Sequence, residues 1–478
     1  MADGKTRHRV ARRVSIACMA MALVGSTVAV TAEATTVERK SGARAIVARE
    51  DAPNVLIIVT DDQRPDMMDH MPRTQRLFGR RGVRFERAFA TTPVCCPFRA
   101  SLMTGQYAHN SGVRRNNDRA KLNHGHTIQR YLHEGGYRTA LLGKFLNGWR
   151  SEDPPPYFER FVLGSGYYRD RPVNVDGRMR NISQYLPYFL GKRAKRVLED
   201  FERDDADPWL MIITPSSPHS PATPAPGDEA VRIAKWLGNP AAFEEDLSDK
   251  PPMLYPNNTP DGVEAIPGTR AYNKAARALM GADRLVQRVF KTVNALGEGS
   301  NTLAFFMSDN GLLMGEHGLR LKRYPYPMSQ EIPLFMRWPA GGVPKGETDD
   351  RIVANIDVLP TVLEAAGLDD VLVHDVDGLS LHGSEQRNRL LLEHFSESHR
   401  QVPSWASLIT DEEQYTEYYD LDEETVTFTE YYDTVADPWR LTNVLGDDDP
   451  LNDPGPATLL TLRTQLAADR ACAGSNCP

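Results

Sequence analysis

The sequence predicts an α/β sandwich around a large, mostly parallel sheet, and three observations carry that prediction. Asn54-Val-Leu-Ile-Ile-Val-Thr60 is a continuous apolar, β-branched run that stops at Asp61-Asp62. Such a run is the pattern of a strand buried on both faces. Residues 302–307 repeat the pattern just before Asp309-Asn310. Helical spacing lies between and around these runs, and strands alternating with helices imply α/β layering.

Taken in order, 73–81 and 127–134 read as helices, the second ending at Gly135-Gly136. Residues 140–142 and 209–214 read as further strands. The longest helical pattern, 270–296, carries Ala, Leu, Val and Phe at helical spacing. Residues 332–338 read as a strand, and 352–366 as a strand and helix around Pro360. The stretches 150–190 and 220–268 read as loops, the latter part of a Pro-rich segment at 215–267. Past residue 372 the texture changes to short strands at 390–395, 404–410, 416–420 and 425–432. These predict a small antiparallel sheet in a C-terminal subdomain (372–478) appended to a main domain at 52–371.

The chain has 478 residues, enough for two or three domains or for one large domain with an appendage. With 41% hydrophobic and 25% charged residues, disordered and fibrous classes are excluded. A net charge of −8, with no basic block beyond the N-terminal region, argues against binding nucleic acid. Lys5, Arg7, Arg9, Arg12 and Arg13 precede an apolar run at 14–30 and small residues around Ala29, Thr31, Ala32 and Ala34. That predicts a secretory signal peptide at 1–32 rather than a stable membrane anchor, then a flexible leader at 33–51. The Arg12-Arg13 pair suggests twin-arginine export to the periplasm or the exterior. Five cysteines are too few for a disulfide scaffold, but Cys472 and Cys477 suit a terminal disulfide clamp in an exported protein.

Asp61-Asp62 and Asp309-Asn310 each follow a buried strand, and sites in open α/β sheets lie at the carboxyl ends of strands. Three carboxylates and an amide oxygen form a hard set suited to Ca²⁺ or Mg²⁺ rather than zinc. Taken singly, either pair reads more readily as the cap of a turn or helix after its strand. Pro93-Val-Cys-Cys-Pro-Phe-Arg-Ala-Ser-Leu-Met-Thr-Gly105 adds thiols, Arg99 and a helix starting near Pro97. It reads either as an anion site facing a metal or as a buried thiol pair beside a Pro-started helix. His317 reads as a ligand or a supporting contact. His124, His126, His374 and His394 read as structural.

Cys95-x-Pro-x-Arg99 with its Leu-Met-Thr-Gly tail resembles the signature of the type I sulfatases. The similarity runs from about residue 52 to about 445. The resemblance implies an alkaline-phosphatase-like fold and conversion of Cys95 to formylglycine by a formylglycine-generating enzyme. It implies one Ca²⁺, with Mg²⁺ as second choice, held by Asp61, Asp62, Asp309, Asn310 and the modified Cys95. Lys144 in Gly143-Lys-Phe-Leu-Asn147 and Lys322, five residues past His317, match the family's sulfate-binding lysines. His219 in Ser217-Pro-His-Ser220 matches its substrate-facing histidine, and Arg99 is the catalytic arginine of the signature.

Two positions depart from the commonest pattern: Phe98 stands where Ser is usual, and Leu146 where many members carry His. Gly-Lys-aromatic-Leu-Asn and the Cys-Cys pair are nevertheless similar to the branch of N-acetylglucosamine-6-sulfatases and heparan endosulfatases. The implied activity is sulfate release from a sulfated small molecule or glycan by a formylglycine gem-diol, with His219 protonating the leaving oxygen. A formylglycine-dependent phosphonate monoester or phosphodiester hydrolase is the second reading. A non-catalytic glycan-binding relative is the third.

Overall fold

The computed structural model describes residues 47–49, 51–164, 166–204, 207–255, 268–397 and 402–478. The expected signal peptide and nearly all of the leader lie outside the described residues. Asn54–Thr60 forms β1, all seven residues buried. In chain order β2 is Val83–Phe89, β3 Arg138–Gly143, β4 Arg160–Leu163, β5 Arg171–Val175, β6 Arg178–Ile182 and β7 Trp209–Thr214. Then come β8 (Thr302–Ser308), the two-residue β9 (Leu313–Met314) and β10 (Arg320–Leu321), β11 (Leu334–Arg337) and β12 (Glu347–Ala354).

The central sheet has ten strands in the order β12-β2-β11-β8-β1-β7-β3-β4-β5-β6. β8, β1, β7, β3 and β4 are mutually parallel, while β11 and β5 run against their neighbours. One hydrophobic layer covers each face. The helix Thr269–Ala295 packs beside Leu186–Phe201 in one layer, and Cys95–Thr104 beside Val358–Ala366 in the other. A separate antiparallel sheet joins β13 (Leu390–His394), β14 (Ser404–Ile409), β15 (Glu413–Tyr419) and β16 (Val426–Asp433) in sequence. Its buried Glu430 accepts hydrogen bonds from the hydroxyls of Tyr326, Tyr418 and Tyr432, each 2.8 Å. Cys472 and Cys477 are disulfide-bonded, and the Cys472 carbonyl lies 3.1 Å from His109 Nε2. Among the described residues no helix is long and apolar enough to cross a membrane.

The stretch 150–190 departs from the loop expectation. It contains β4, the β5–β6 hairpin and the start of the Leu186–Phe201 helix. The strands are only four or five residues long, and Arg, Pro and Gly mask their period. The helix was nonetheless marked in sequence: Leu186, Leu190, Ala194, Val197, Leu198 and Phe201 are buried at helical spacing. β2 hid its alternation behind charge, burying Val83 and Phe85 while exposing Arg84 and Glu86. The helix expected near Pro97 starts at Cys95. Proline fits its first turn because amides there have no intrahelical acceptor to lose.

Gly143 ends β3 at φ +125°, and a Cβ there would lie 2.1 Å from the Thr214 carbonyl oxygen. Gly136 has φ +93° but open space around it. Gly143→Ala is therefore expected to lower unfolding free energy by about 3 kcal/mol, and Gly136→Ala by about 1 kcal/mol. Urea denaturation of both variants measures the difference.

Candidate active site

Four adjacent parallel strands, β8, β1, β7 and β3, end at one edge of the sheet. Each delivers a polar residue there: Asp309-Asn310, Asp61-Asp62, the loop to His219, and Lys144. The junctions are stitched through the backbone. The Asp309 N–H donates to the Thr60 carbonyl and the Asp61 N–H to that of Ser217, each at 3.0 Å. Cys95 arrives from the loop after β2 as the first residue of its helix. Lys322 follows β10 directly.

The side chains meet in a buried knot. Ligand atoms of Asp61, Asp62, Cys95 and Asp309 all lie within 4.8 Å of one another. Arg99 donates from Nε and Nη2 to Asp309 Oδ2, at 3.1 and 2.9 Å, and from Nη1 to the Lys144 carbonyl at 2.9 Å. Lys144 Nζ donates to Asp61 Oδ2 at 2.8 Å. Lys322 Nζ contacts Asp62 Oδ1, Cys95 Sγ at 2.7 Å and Asn310 Oδ1 at 3.3 Å. His219 stands at the rim, its side chain 36% exposed, with Nε2 3.8 Å from Asp62 Oδ2. Its Nδ1 lies 2.8 Å from the Ser220 carbonyl. A carbonyl can only accept, so Nδ1 carries the hydrogen and Nε2 faces the site.

Burial alone would raise the Asp61 and Asp62 carboxyls. Burial is the largest single influence on each, but Lys144 together with Arg99 and His219 at the first, and Lys322 together with His219 at the second, jointly hold both below the ordinary value. Burial likewise opposes charge on Lys144 and Lys322, and the surrounding anionic groups, led by Asp61 for the first and Asp62 for the second and joined by Asp309, together raise both. The Cys95 thiol is pushed up to about 12, chiefly by burial and then by Asp309. Three carboxylates thus face three cations, Arg99, Lys144 and Lys322. The donor set fits a hard divalent cation: three carboxyl groups and an amide oxygen converge where Lys322 Nζ now touches Asp62 and Asn310.

All the sequence-predicted residues of the site come together, and Cys472–Cys477 lies apart in the C-terminal clamp. Leu146 is 3% exposed and packs in the core, so position 146 presents nothing to the site. Phe98 is fully buried in the same core. His317 is a support: its Nδ1 is 2.5 Å from Glu244 Oε2, and its carbonyl accepts from the Tyr255 hydroxyl.

Sequence reasoning missed several positioning groups. Asn116 Oδ1 accepts from the Cys96 N–H at 3.1 Å, and Thr214 Oγ1 donates to the Lys144 carbonyl at 2.6 Å. The Tyr168 hydroxyl bridges the Ser216 and His219 carbonyls. Trp405 Nε1 donates to the Arg323 carbonyl, anchoring the residue after Lys322 on the small sheet. None of these carried a local signal, because each acts on a backbone atom distant in sequence.

The sulfatase family model matches residues 53–368. The chain belongs to the sulfatase family. A second model, the C-terminal region of N-sulphoglucosamine sulphohydrolase, matches residues 315–453. A putative extracellular sulfatase Sulf-1 homolog of Caenorhabditis elegans is 31% identical over 66% of the chain, which spans only 47% of that relative. The human N-acetylglucosamine-6-sulfatase is 28% identical, with 91% of this chain and 88% of the relative covered. The structure of BT4656 in complex with its substrate D-glucosamine-2-N,6-O-disulfate shares the fold, with a TM-score of 0.70 at 21% identity. That match covers 87% of this chain and 97% of the other.

The two buried thiols give a test of the local electrostatics. With Cys95 raised to about 12 and Cys96 to about 11, both stay protonated at pH 8. In unconverted, folded protein neither is expected to react appreciably with iodoacetamide, whereas both alkylate in urea. Peptide mass spectrometry after timed labelling reads the result.

Proposed function

We propose that this protein is an exported sulfuric ester hydrolase that releases inorganic sulfate from a sulfated sugar of the N-acetylglucosamine-6-sulfate type. One observation carries the reading: position 95 sits at a helix start, touched by Lys322 and ringed by three buried carboxylates that Arg99, Lys144 and Lys322 compensate. A protonated thiol there is a poor nucleophile, which supports a converted residue. As formylglycine, position 95 would supply a hydrated aldehyde as the nucleophile. A Ca²⁺, or Mg²⁺, held by Asp61, Asp62, Asp309 and Asn310 together with position 95 would supply Lewis acidity toward the sulfuryl oxygens.

The remaining roles belong to the chain's own side chains. Lys144 and Lys322 present fixed positive charge to the sulfate group, where a preorganised donor needs no rearrangement as negative charge builds. Arg99 holds the Asp309 carboxylate and the Lys144 backbone, so it keeps the two sides of the knot in register. His219, fixed through Nδ1–H on the Ser220 carbonyl, points Nε2 at the rim, where the imidazolium form would give its Nε2 proton to the departing sugar oxygen and be left as the neutral Nδ1–H ring. The deep residues exclude water from position 95, which is 1% exposed. The similarity to N-acetylglucosamine-6-sulfatases along most of the chain supports the sugar class.

The test begins with protein co-produced with a formylglycine-generating enzyme. The peptide spanning Cys95 is expected to carry the aldehyde or its hydrate, and the protein to release sulfate from N-acetylglucosamine-6-sulfate faster than it cleaves a phosphonate monoester. The reverse preference would assign it to phosphonate hydrolysis. An unmodified thiol with no turnover would support the glycan-binding reading. His219→Ala is expected to lower kcat by roughly 10²–10⁴ with normal maturation at position 95, as loss of a general acid does.

A further inference from the structure

Three adjoining hollows run away from the site along one flank of the molecule. The first is lined by Tyr167, Arg169 and Arg171 with apolar neighbours. The second shares Arg169 and adds Lys192, Arg284 and Arg288; the third shares the last two and adds Lys291. Among the described residues no Asp or Glu lines any of them, on a chain with a net charge of −8. By contrast, the hollow beside β12 is lined by Glu347, Asp349 and Asp350. Arg284, Arg288 and Lys291 recur at helical spacing on Thr269–Ala295, one face of about 10 Å.

Two of these six cations are paired, Arg169 with Glu229 and Arg284 with Asp228. Lys192 Nζ donates to the Gln184 amide oxygen and, among the described residues, meets no carboxylate at ion-pair distance. Arg171, Arg288 and Lys291 have no carboxylate at ion-pair distance among the described residues. The Arg171 guanidinium instead lies 3.8 Å over the ring of Tyr167, which is 48% exposed. That stack is a flat platform of the kind that takes a sugar ring, and in the next hollow the half-buried Tyr188 packs edge-on against a buried Tyr185.

The track begins beside the site. Tyr168, between Tyr167 and Arg169, donates to the His219 carbonyl at 2.8 Å. Gly164 donates its N–H to the Gly143 carbonyl, next to Lys144. The first hollow therefore opens at the same carboxyl edge of the sheet, one strand from Lys144.

We propose that this groove binds a sulfated polysaccharide, the polyanionic continuation of the sugar whose ester is cut. The proposal rests on the sulfated-sugar reading above and extends it from a monosaccharide to a chain. Repeated anionic groups match the line of cations, and the exposed ring of Tyr167 matches a sugar face between them. Nucleic acid and an anionic membrane share only the charge.

Two surface variants test it, Arg288→Glu/Lys291→Glu together and Arg171→Glu alone. Heparin binding is measured on protein carrying Cys95→Ala, and turnover of N-acetylglucosamine-6-sulfate on the matured enzyme with Cys95 intact. The double variant is expected to bind heparin roughly tenfold more weakly, with the slope of log Kd against log salt reduced by about two. Its kcat and KM for the monosaccharide should not change. Unaltered heparin affinity in both variants would overturn the proposal. So would equal affinity of the parent protein for duplex DNA or phosphatidylserine vesicles at the same salt. Heparin held through the groove by a protein that hydrolyses no sulfated sugar would sink the activity reading alone, leaving the groove standing. Monosaccharide turnover without heparin binding would do the reverse.

Discussion

The structure depends on burying three carboxylates together. Two unit charges about 4 Å apart interact by roughly 4 kcal/mol at the effective dielectric near a protein surface, and like charges cannot share a dry site at that cost. Arg99, Lys144 and Lys322 remove the conflict by entering the knot themselves, each against a different carboxylate: Asp309, Asp61 and Asp62. Leaving one such charge without its partner costs about 3–5 kcal/mol. The arrangement is therefore held as a set, and the elements that deliver each cation are constrained by it.

Delivery explains much of the surrounding architecture. Lys144 can follow β3 so closely because Gly143 lets the chain press on the Thr214 carbonyl, and Thr214 in turn donates to the Lys144 carbonyl. Lys322 lies in a loop and needs outside support. It receives it from the small sheet, where Trp405 holds the Arg323 carbonyl and Glu397 pairs with the Arg323 guanidinium at 2.9 Å. Further along the same segment, the Tyr326 hydroxyl donates to the buried Glu430. The antiparallel sheet is thus part of the site's framework, although it contributes none of the carboxylates.

Legibility in the sequence followed the range of the interactions. β1, β7 and β8 were readable because strands buried on both faces are written as unbroken apolar runs. The Thr269–Ala295 helix was readable from its 3.6-residue period. The hairpin at Arg171–Ile182 was not, because a five-residue edge strand rich in arginine has no period long enough to stand out. In the site, Asp61-Asp62 and Asp309-Asn310 were conspicuous as polar pairs closing apolar strands. Lys144, Lys322 and His219 were visible only through resemblance, since a lone lysine or loop histidine looks like surface. Asn116, Tyr168, Thr214 and Trp405 were invisible, each acting on a backbone atom brought near by folding.

What the sequence determined by itself is the alternation of buried strands and helices, the residues that end those strands, and the signature around Cys95. These are local properties, set by side-chain period and by short contiguous spacing. Tertiary structure alone decided that Lys144 and Lys322 are buried partners of Asp61 and Asp62, that Leu146 faces the core, and that Arg171, Arg288 and Lys291 line adjoining hollows. Those outcomes depend on which strand ends become neighbours, and strand order is a property of the folded sheet rather than of any stretch of chain.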